Sequence, residues 1–242
     1  MGAMKQVNKK DESGRTALHL AAESGNLKDV KKLIARGAEV DLTDNHQREP
    51  LHLAAMNGSK DVVDNLITNG ANLNSEDCVH QTPLHHAAIR GHKDVAEKII
   101  TKGANLDLGD RYDLTPLHYA VIKGHTDVAE LLIDNGANLE LRDHNDETPL
   151  HHAAMRGHKD VAKLCIDKGA IVDSKNRMKL TPLHDAAMMG HKDVVELLLK
   201  NKANVNSEDY FHQTPLDRAI YNGHTDITKL LKANGAVKSN EN

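Results

Sequence analysis

Two kinds of apolar segment alternate along the chain. The first is short, opens with Thr-Pro-Leu-His and continues in small residues, as in Leu84, Ala87 and Ala88. The second carries aliphatic residues at the spacing of one helix face, as in Val128, Leu131, Leu132 and Ile133, or Val194, Val195, Leu197, Leu198 and Leu199. Residues 77–108 show the full unit. The pattern there predicts a first helix over 82–90, a break at Gly91, a second helix over 92–102 and a stop at Gly103 and Ala104. After each second helix comes a polar stretch, such as 72–77, whose alternation and turn-forming Asn and Asp predict a hairpin-like loop standing off the helices.

The unit repeats without insertion or deletion. Its tetrapeptide starts at 16, 49, 82, 115, 148, 181 and 214, a constant step of 33 residues, with Thr-Ala-Leu-His at 16, Glu-Pro-Leu-His at 49 and Thr-Pro-Leu-Asp at 214. A fixed period of this length marks a solenoid, because one such unit cannot bury its apolar face alone and must stack on its like. The tetrapeptide is a helix start with a mechanism: threonine caps exposed N–H groups, and proline takes the first helical position, where its missing donor costs nothing. All six prolines occupy that one place. Glycine stands at the inner turn of every copy and again after the second helix at 37, 70, 103, 136, 169 and 235, where a left-handed C-cap favours it. Lys202 replaces it in the sixth copy, so strain or a looser turn is expected there.

The fold class expected is an all-α solenoid of helix-turn-helix units with short β-hairpin loops. One array of seven repeats covers 11–237, divided at about 11–43, 44–76, 77–109, 110–142, 143–175, 176–208 and 209–237. A flexible, appended start over 1–10 and a flexible tail over 238–242 flank it. Polar residues at otherwise apolar places, Asp29 in the first repeat and Thr228 and Lys232 in the last, suit the caps of a stack.

Composition changes this picture in a few ways. Aromatic residues are 2 % of the chain and tryptophan is absent, so the core must be built from Leu, Ile, Val and Ala. The formal charge of −4, with both signs interspersed, disfavours nucleic acid and a membrane surface as partners. No apolar run is long enough to span a bilayer and the start carries no apolar signal region, so an intracellular, cytoplasmic monomer is expected, a nuclear location being left open. Cys78 falls in a loop and Cys165 on an apolar helix face two repeats away, which predicts reduced thiols with Cys165 as a core residue.

With these motifs in hand the chain resembles the ankyrin-repeat family from about Asp11 to Val237; residues 143–170 meet nearly the whole family pattern of capping aspartate, Thr-Pro-Leu-His, paired alanines, Gly-His, aliphatic run and Gly-Ala. The resemblance implies a right-handed stack of helix-turn-helix units with β-hairpin fingers, used for protein binding and without chemistry of its own. The family's turn glycine, three residues after the capping aspartate, survives only at Gly14. Gln47, His80, Asp113, Asp146, Lys179 and His212 replace it, so less regular hairpin tips are expected.

Seventeen histidines raise a metal or acid–base reading. Six belong to the tetrapeptide and five follow the inner turn glycine, which assigns them to hydrogen bonds between loops. Four stand at hairpin tips, His46, His80, His144 and His212, and two are the second of a pair, His86 and His152. A zinc site needs about four converging ligands, whereas equivalent residues of successive repeats lie ~10 Å apart. No metal and no cofactor is therefore expected. Phosphate-cradling loops, nucleophile elbows and Cys-x-x-Cys are missing from the sequence, so the chain is expected not to be an enzyme.

Function then falls to positions that vary between repeats: the two residues after the capping aspartate, the one before the threonine, the one after the motif histidine and the two before the inner glycine. All five aromatics lie there, Tyr112, Tyr119, Tyr210, Phe211 and Tyr221, with Met56, Met155, Met178, Met188 and Met189. Core filling is the ordinary role of such residues, but equivalent places hold Glu23, Asn57, Arg90 or Asn222, which no core takes. Seven of nine arginines also fall there, namely Arg15, Arg48, Arg90, Arg111, Arg156, Arg177 and Arg218, against Lys123 alone of twenty-two lysines. Interfaces favour Tyr, Met and Arg and disfavour Lys. Val79, Ile89, Leu114, Ile122 and Leu180, with His86, His144, His152 and Asp185, complete the candidate groove.

Against these eight cations stand only Glu12, Glu23, Glu147 and Asp185. The partner expected is an acidic, partly apolar peptide or domain, bound by a non-catalytic scaffold or inhibitor. Two alternatives remain: a receptor for a phosphorylated small ligand or single-stranded oligonucleotide, since Arg and Tyr can clamp phosphate and stack bases, and a targeting module of a larger enzyme or bacterial effector.

Overall fold

The computed structural model describes residues 6–239. Among these residues fourteen helices follow one another in pairs, from Ala17–Glu23 with Leu27–Ala35 to Pro215–Tyr221 with Thr225–Ala233, and no strand forms. In the third repeat the helices are Pro83–Arg90 and Lys93–Thr101, within a residue of the predicted bounds.

Each first helix is started by a histidine-locked cap. Thr82 is extended (φ −88°, ψ 167°), and His85, three residues on, turns its ring back so that Nδ1 accepts the Thr82 N–H at 3.0 Å. The other ring nitrogen, Nε2, lies 3.0 Å from the Leu114 carbonyl oxygen, an acceptor, so the proton sits on Nε2 and the ring is neutral. One imidazole thus closes its own helix start and ties it to the loop entering the next repeat. His19, His151 and His184 repeat the arrangement onto Arg48, Leu180 and Gln213. Burial disfavours the cation and holds His52, His85 and His151 down to about 4. In the second repeat Glu49 stands where threonine belongs; it takes a 2.8 Å bond from the Ser75 hydroxyl, and burial pushes its carboxyl up to about 7.

The Gly-His pair at the inner turn has an equally specific reason. His92 Nε2 reaches the Met56 carbonyl of the preceding repeat at 3.2 Å, and a Cβ on Gly58 would come within 2.8 Å of that ring. Gly58 is also left-handed at φ 79°, so glycine is required twice over. His158, His191 and His224 make the same bond to Ile122, Met155 and Met188, which confirms the loop-bridging role expected of these residues.

The core is thin and aliphatic. Leu84, Ala87, Ala88, Val95, Ala96 and Ile99 have no exposed surface, and the paired alanines let first helices pack on first helices. Each fully buried leucine contributes about 2–3 kcal/mol by leaving water. Cys165 is buried as expected, and burial raises its thiol to about 12; both cysteines are free.

The loops depart from the expected hairpins. Each is a tight turn built on its capping residue: one Asp77 oxygen accepts the N–H groups of Val79 (2.9 Å) and Gln81 (3.0 Å), and Asp77 N–H donates to the Gln81 carbonyl at 3.0 Å. Neighbouring tips share single bonds, such as Cys78 N–H to His46 O at 2.9 Å and Arg111 N–H to Val79 O at 3.1 Å, too few to make a ladder. The tips are also more uniform than expected. Gln47, His80, Asp113, Asp146, Lys179 and His212 all adopt φ between 56° and 60° or just above, up to 64°, beside 74° at Gly14. The aspartate-centred bonds fix the turn firmly enough to outweigh the left-handed penalty of about 1 kcal/mol. Lys202 is left-handed as well, at φ 64°, the strained cap its sequence predicts.

The helix pairs fall into two compact units. One runs to Tyr119 and includes Asp134–Gly136; the other holds Ala120–Ile133 and the chain from Ala137 onward. Within the first, Val7 is buried, Asn8 donates to Glu39 Oε1 at 2.8 Å and Lys10 to the Thr43 carbonyl at 2.7 Å. The remainder of the expected flexible start, 1–5, and residues 240–242 of the expected tail lie outside the described residues.

Candidate interaction surface

The position after the motif histidine is a tether. One oxygen of the capping aspartate holds the turn, and the other takes a donor from this position: His86 Nε2 to Asp77 at 3.0 Å, the Tyr119 hydroxyl to Asp110 at 2.6 Å, His152 Nε2 to Asp143 at 3.0 Å and Arg218 Nε to Asp209 at 2.9 Å. Arg48 serves Asp44 in the same way from the residue before the tetrapeptide, through Nε at 2.9 Å and Nη2 at 2.7 Å. Burial alone would raise these carboxyls, but the bonds from His86 and His152 and from backbone amides bring Asp77 and Asp143 down to about 2. Burial, reinforced by Asp110, pushes the Tyr119 hydroxyl above its usual range.

Six expected groove residues are thereby corrected. His86, His152 and Asp185 are buried, and Arg48, Tyr119 and Arg218 are half-buried and occupied by internal bonds. For five of them the physical reason is the capping aspartate, whose buried charge needs a donor; Asp185 is instead enclosed by the packing of helix on helix and meets no donor. Part of the arginine enrichment read as an interface signal is therefore framework chemistry.

The rest reach the surface to differing degrees. Met56, Val79, Ile89, Leu114, Ile122, Met155, Leu180 and Met188 are half-buried, while Arg90, Arg111, Lys123, His144, Arg156 and Arg177 are exposed. Arg111 donates Nη2 to the Cys78 carbonyl at 2.6 Å, and Arg177 faces Asp146 at 3.7 Å. Arg90, Lys123 and Arg156, each just before an inner glycine, have no hydrogen-bond or ionic partner among the described residues.

The two units differ in exposed apolar surface. Among the candidate residues the first unit shows Tyr112, 51 % exposed. The second shows Met178, Met189, Tyr210, Phe211 and Tyr221, the last 85 % exposed. Tyr210 and Phe211 meet edge to face with ring centroids 5.5 Å apart. Met178 gives its carbonyl to Tyr210 N–H at 2.9 Å, so these tips stand side by side.

Sequence reasoning missed one grouping. Asp143, Glu147 and His152 place an oxygen, an oxygen and a nitrogen all within 4.8 Å of one another. Its signal in the sequence is a spacing of four and five residues within a single repeat, far shorter than the step of 33 residues.

Helix pairs joined by glycine turns, with aspartate-capped fingers between them, define an ankyrin-type solenoid. The chain belongs to the ankyrin-repeat family: the model for ankyrin repeats (3 copies) matches residues 3–77, 51–143, 135–209 and 179–242. Among solved structures it is similar to the human ASB11 ankyrin repeat domain, at 30 % identity and a TM-score of 0.83, covering 92 % of this chain and 99 % of that one. No curated protein sequence matches it. Ankyrin-repeat domains are generally protein-interaction modules and typically non-catalytic. No helix among the described residues is long and apolar enough to cross a membrane.

Proposed function

We propose that the second unit docks an acidic, partly apolar peptide or protein segment, and that the chain acts as a non-catalytic scaffold or inhibitor. The supporting observation is a cluster of exposed Met178, Tyr210 and Phe211 at neighbouring tips, in a unit that also presents Lys123 and Arg156 without ionic partners. Water-exposed aromatic and methionine side chains recover apolar free energy only when something covers them, and unpaired cations select carboxylates or phosphates. Taken by itself, the first unit exposes Arg90, Arg111 and Tyr112.

A displayed library of random peptides tests this reading. Selected peptides should combine Asp or Glu with apolar anchors, and Lys123→Glu, Arg156→Glu and Arg177→Glu together should abolish their binding with the helical spectrum unchanged. Selection of peptides without acidic residues, or undiminished binding by the triple variant, would contradict it. Binding of single-stranded RNA at low salt would favour the oligonucleotide alternative instead.

A further inference from the structure

The cluster at the fifth repeat does something the other tethers do not. His152 Nε2 lies 3.0 Å from Asp143 Oδ2 and 3.7 Å from Glu147 Oε2. A metal with bonds of ~2.0–2.2 Å to such atoms holds neighbouring ligands roughly 3.0–3.5 Å apart, so these separations need only small side-chain rotations. All three residues come from one repeat. The ~10 Å step between successive repeats, which argues against metal sites elsewhere in the array, does not apply to them.

A second, independent observation points to the same place. Asp185, on the next first helix at the position equivalent to His152, has no exposed surface, and neither carboxylate oxygen has a hydrogen-bond partner. The helix Pro149–Arg156 packs directly on Pro182–Met189, and Asp185 feels the charge of Glu147. Arg218, whose charge acts on Asp185, commits Nε and Nη2 to Asp209. A buried carboxylate without a donor is costly, and native chains rarely keep one without a ligand or a counter-charge.

We propose that Asp143, Glu147 and His152 form a binding site for a divalent transition metal of the zinc class, with the buried Asp185 carboxyl on the neighbouring helix adding negative charge beside it. Two carboxylates with one imidazole suit Zn²⁺ better than Ca²⁺ or Mg²⁺, which take oxygen ligands. The dication offsets most of the buried negative charge. The other repeats lack the set: repeat three pairs His86 with Asp77 but has Gln81 in place of Glu147, and Tyr119 in the place of Asp185. This inference is independent of the docking surface.

The experiment is a calorimetric titration of ZnCl₂ into the EDTA-stripped full chain, repeated with Glu147→Gln and Asp185→Leu. Both replacements occur naturally at the equivalent places, as Gln81 and Leu53, so folding should survive, and the helical spectrum checks it. One saturable site per chain is expected, weakened about 10-fold or more by each replacement. Zinc should also raise the thermal midpoint of the parent chain and not of the variants. No saturable binding by about 0.1 mM zinc overturns the site. So does binding retained by both variants, which would place zinc on exposed pairs such as His80–Glu76 or His212–Glu208. Loss in Glu147→Gln with full retention in Asp185→Leu overturns the contribution given to Asp185.

Discussion

Repeats three and five carry nearly the same first helix, Pro-Leu-His-His-Ala-Ala followed by Ile-Arg or Met-Arg, yet their surroundings are opposite in kind. In repeat three His86 serves Asp77, and the Gln81 amide donates to Asp110 at 3.1 Å and to the Tyr119 oxygen at 2.9 Å. Tyr119 in turn donates to Asp110, so each acceptor meets a donor. In repeat five Glu147 stands in the place of Gln81, and in the repeat after it Asp185 stands in the place of Tyr119; Glu147 accepts from the Asn176 amide at 3.4 Å, while Asp185 meets no donor. The difference teaches that the framework fixes where side chains go, while the variable residues decide whether the place is self-sufficient or asks for a ligand.

Four predictions probe that comparison. The largest effect should come from what the repeats share. His85→Ala and His151→Ala each strand a buried threonine N–H and a carbonyl, and should each cost about 2–4 kcal/mol in urea unfolding, equally within error. A large cost in one repeat alone would break the equivalence.

Next is the acid response of the same histidines. Their folded value of about 4 lies below the ~6.5 of a free imidazole, so the unfolded chain takes up protons first. Stability should fall as the pH drops from ~6.5 towards ~4, by up to about 2 kcal/mol per histidine at pH 5. The urea midpoint at pH 7 and pH 5 measures this, and His85→Ala should flatten the dependence.

The third effect separates the repeats. In EDTA, Asp185→Leu removes a buried carboxyl without a donor and should stabilise the chain by about 1–3 kcal/mol, whereas Tyr119→Leu takes the hydroxyl donor from Asp110, leaving it the Gln81 amide, and should destabilise it by about 1–2 kcal/mol. Two shifts of the same sign would erase the distinction drawn between the two sites. The smallest effect serves as calibration: Lys202→Gly relieves a left-handed side chain and should add about 0.5–1 kcal/mol to the thermal or urea stability.

Much of the fold was legible because each framework residue has a local reason visible in the sequence. Proline at the first helical position, glycine at left-handed turns and histidine at a step of 33 residues all report backbone geometry directly. The candidate surface was less so. Arg48 and Arg218 look like interface arginines in sequence, yet their guanidiniums face capping aspartates, a pairing that depends on how the loop folds back over the first helix. His86 and His152 share that reason. The burial of Asp185 was illegible, since Arg218 and Tyr119 at equivalent places keep some exposure. It follows from the packing of one helix on the next.

The most direct test replaces Tyr210, Phe211 and Tyr221 together by serine and measures unfolding and peptide capture on the same variant. If these side chains serve recognition, the thermal midpoint stays within a few degrees of the parent while capture of library-selected peptides is lost. A midpoint lowered far beyond that, with capture retained, would make them part of the stack and contradict the division between regular and irregular positions.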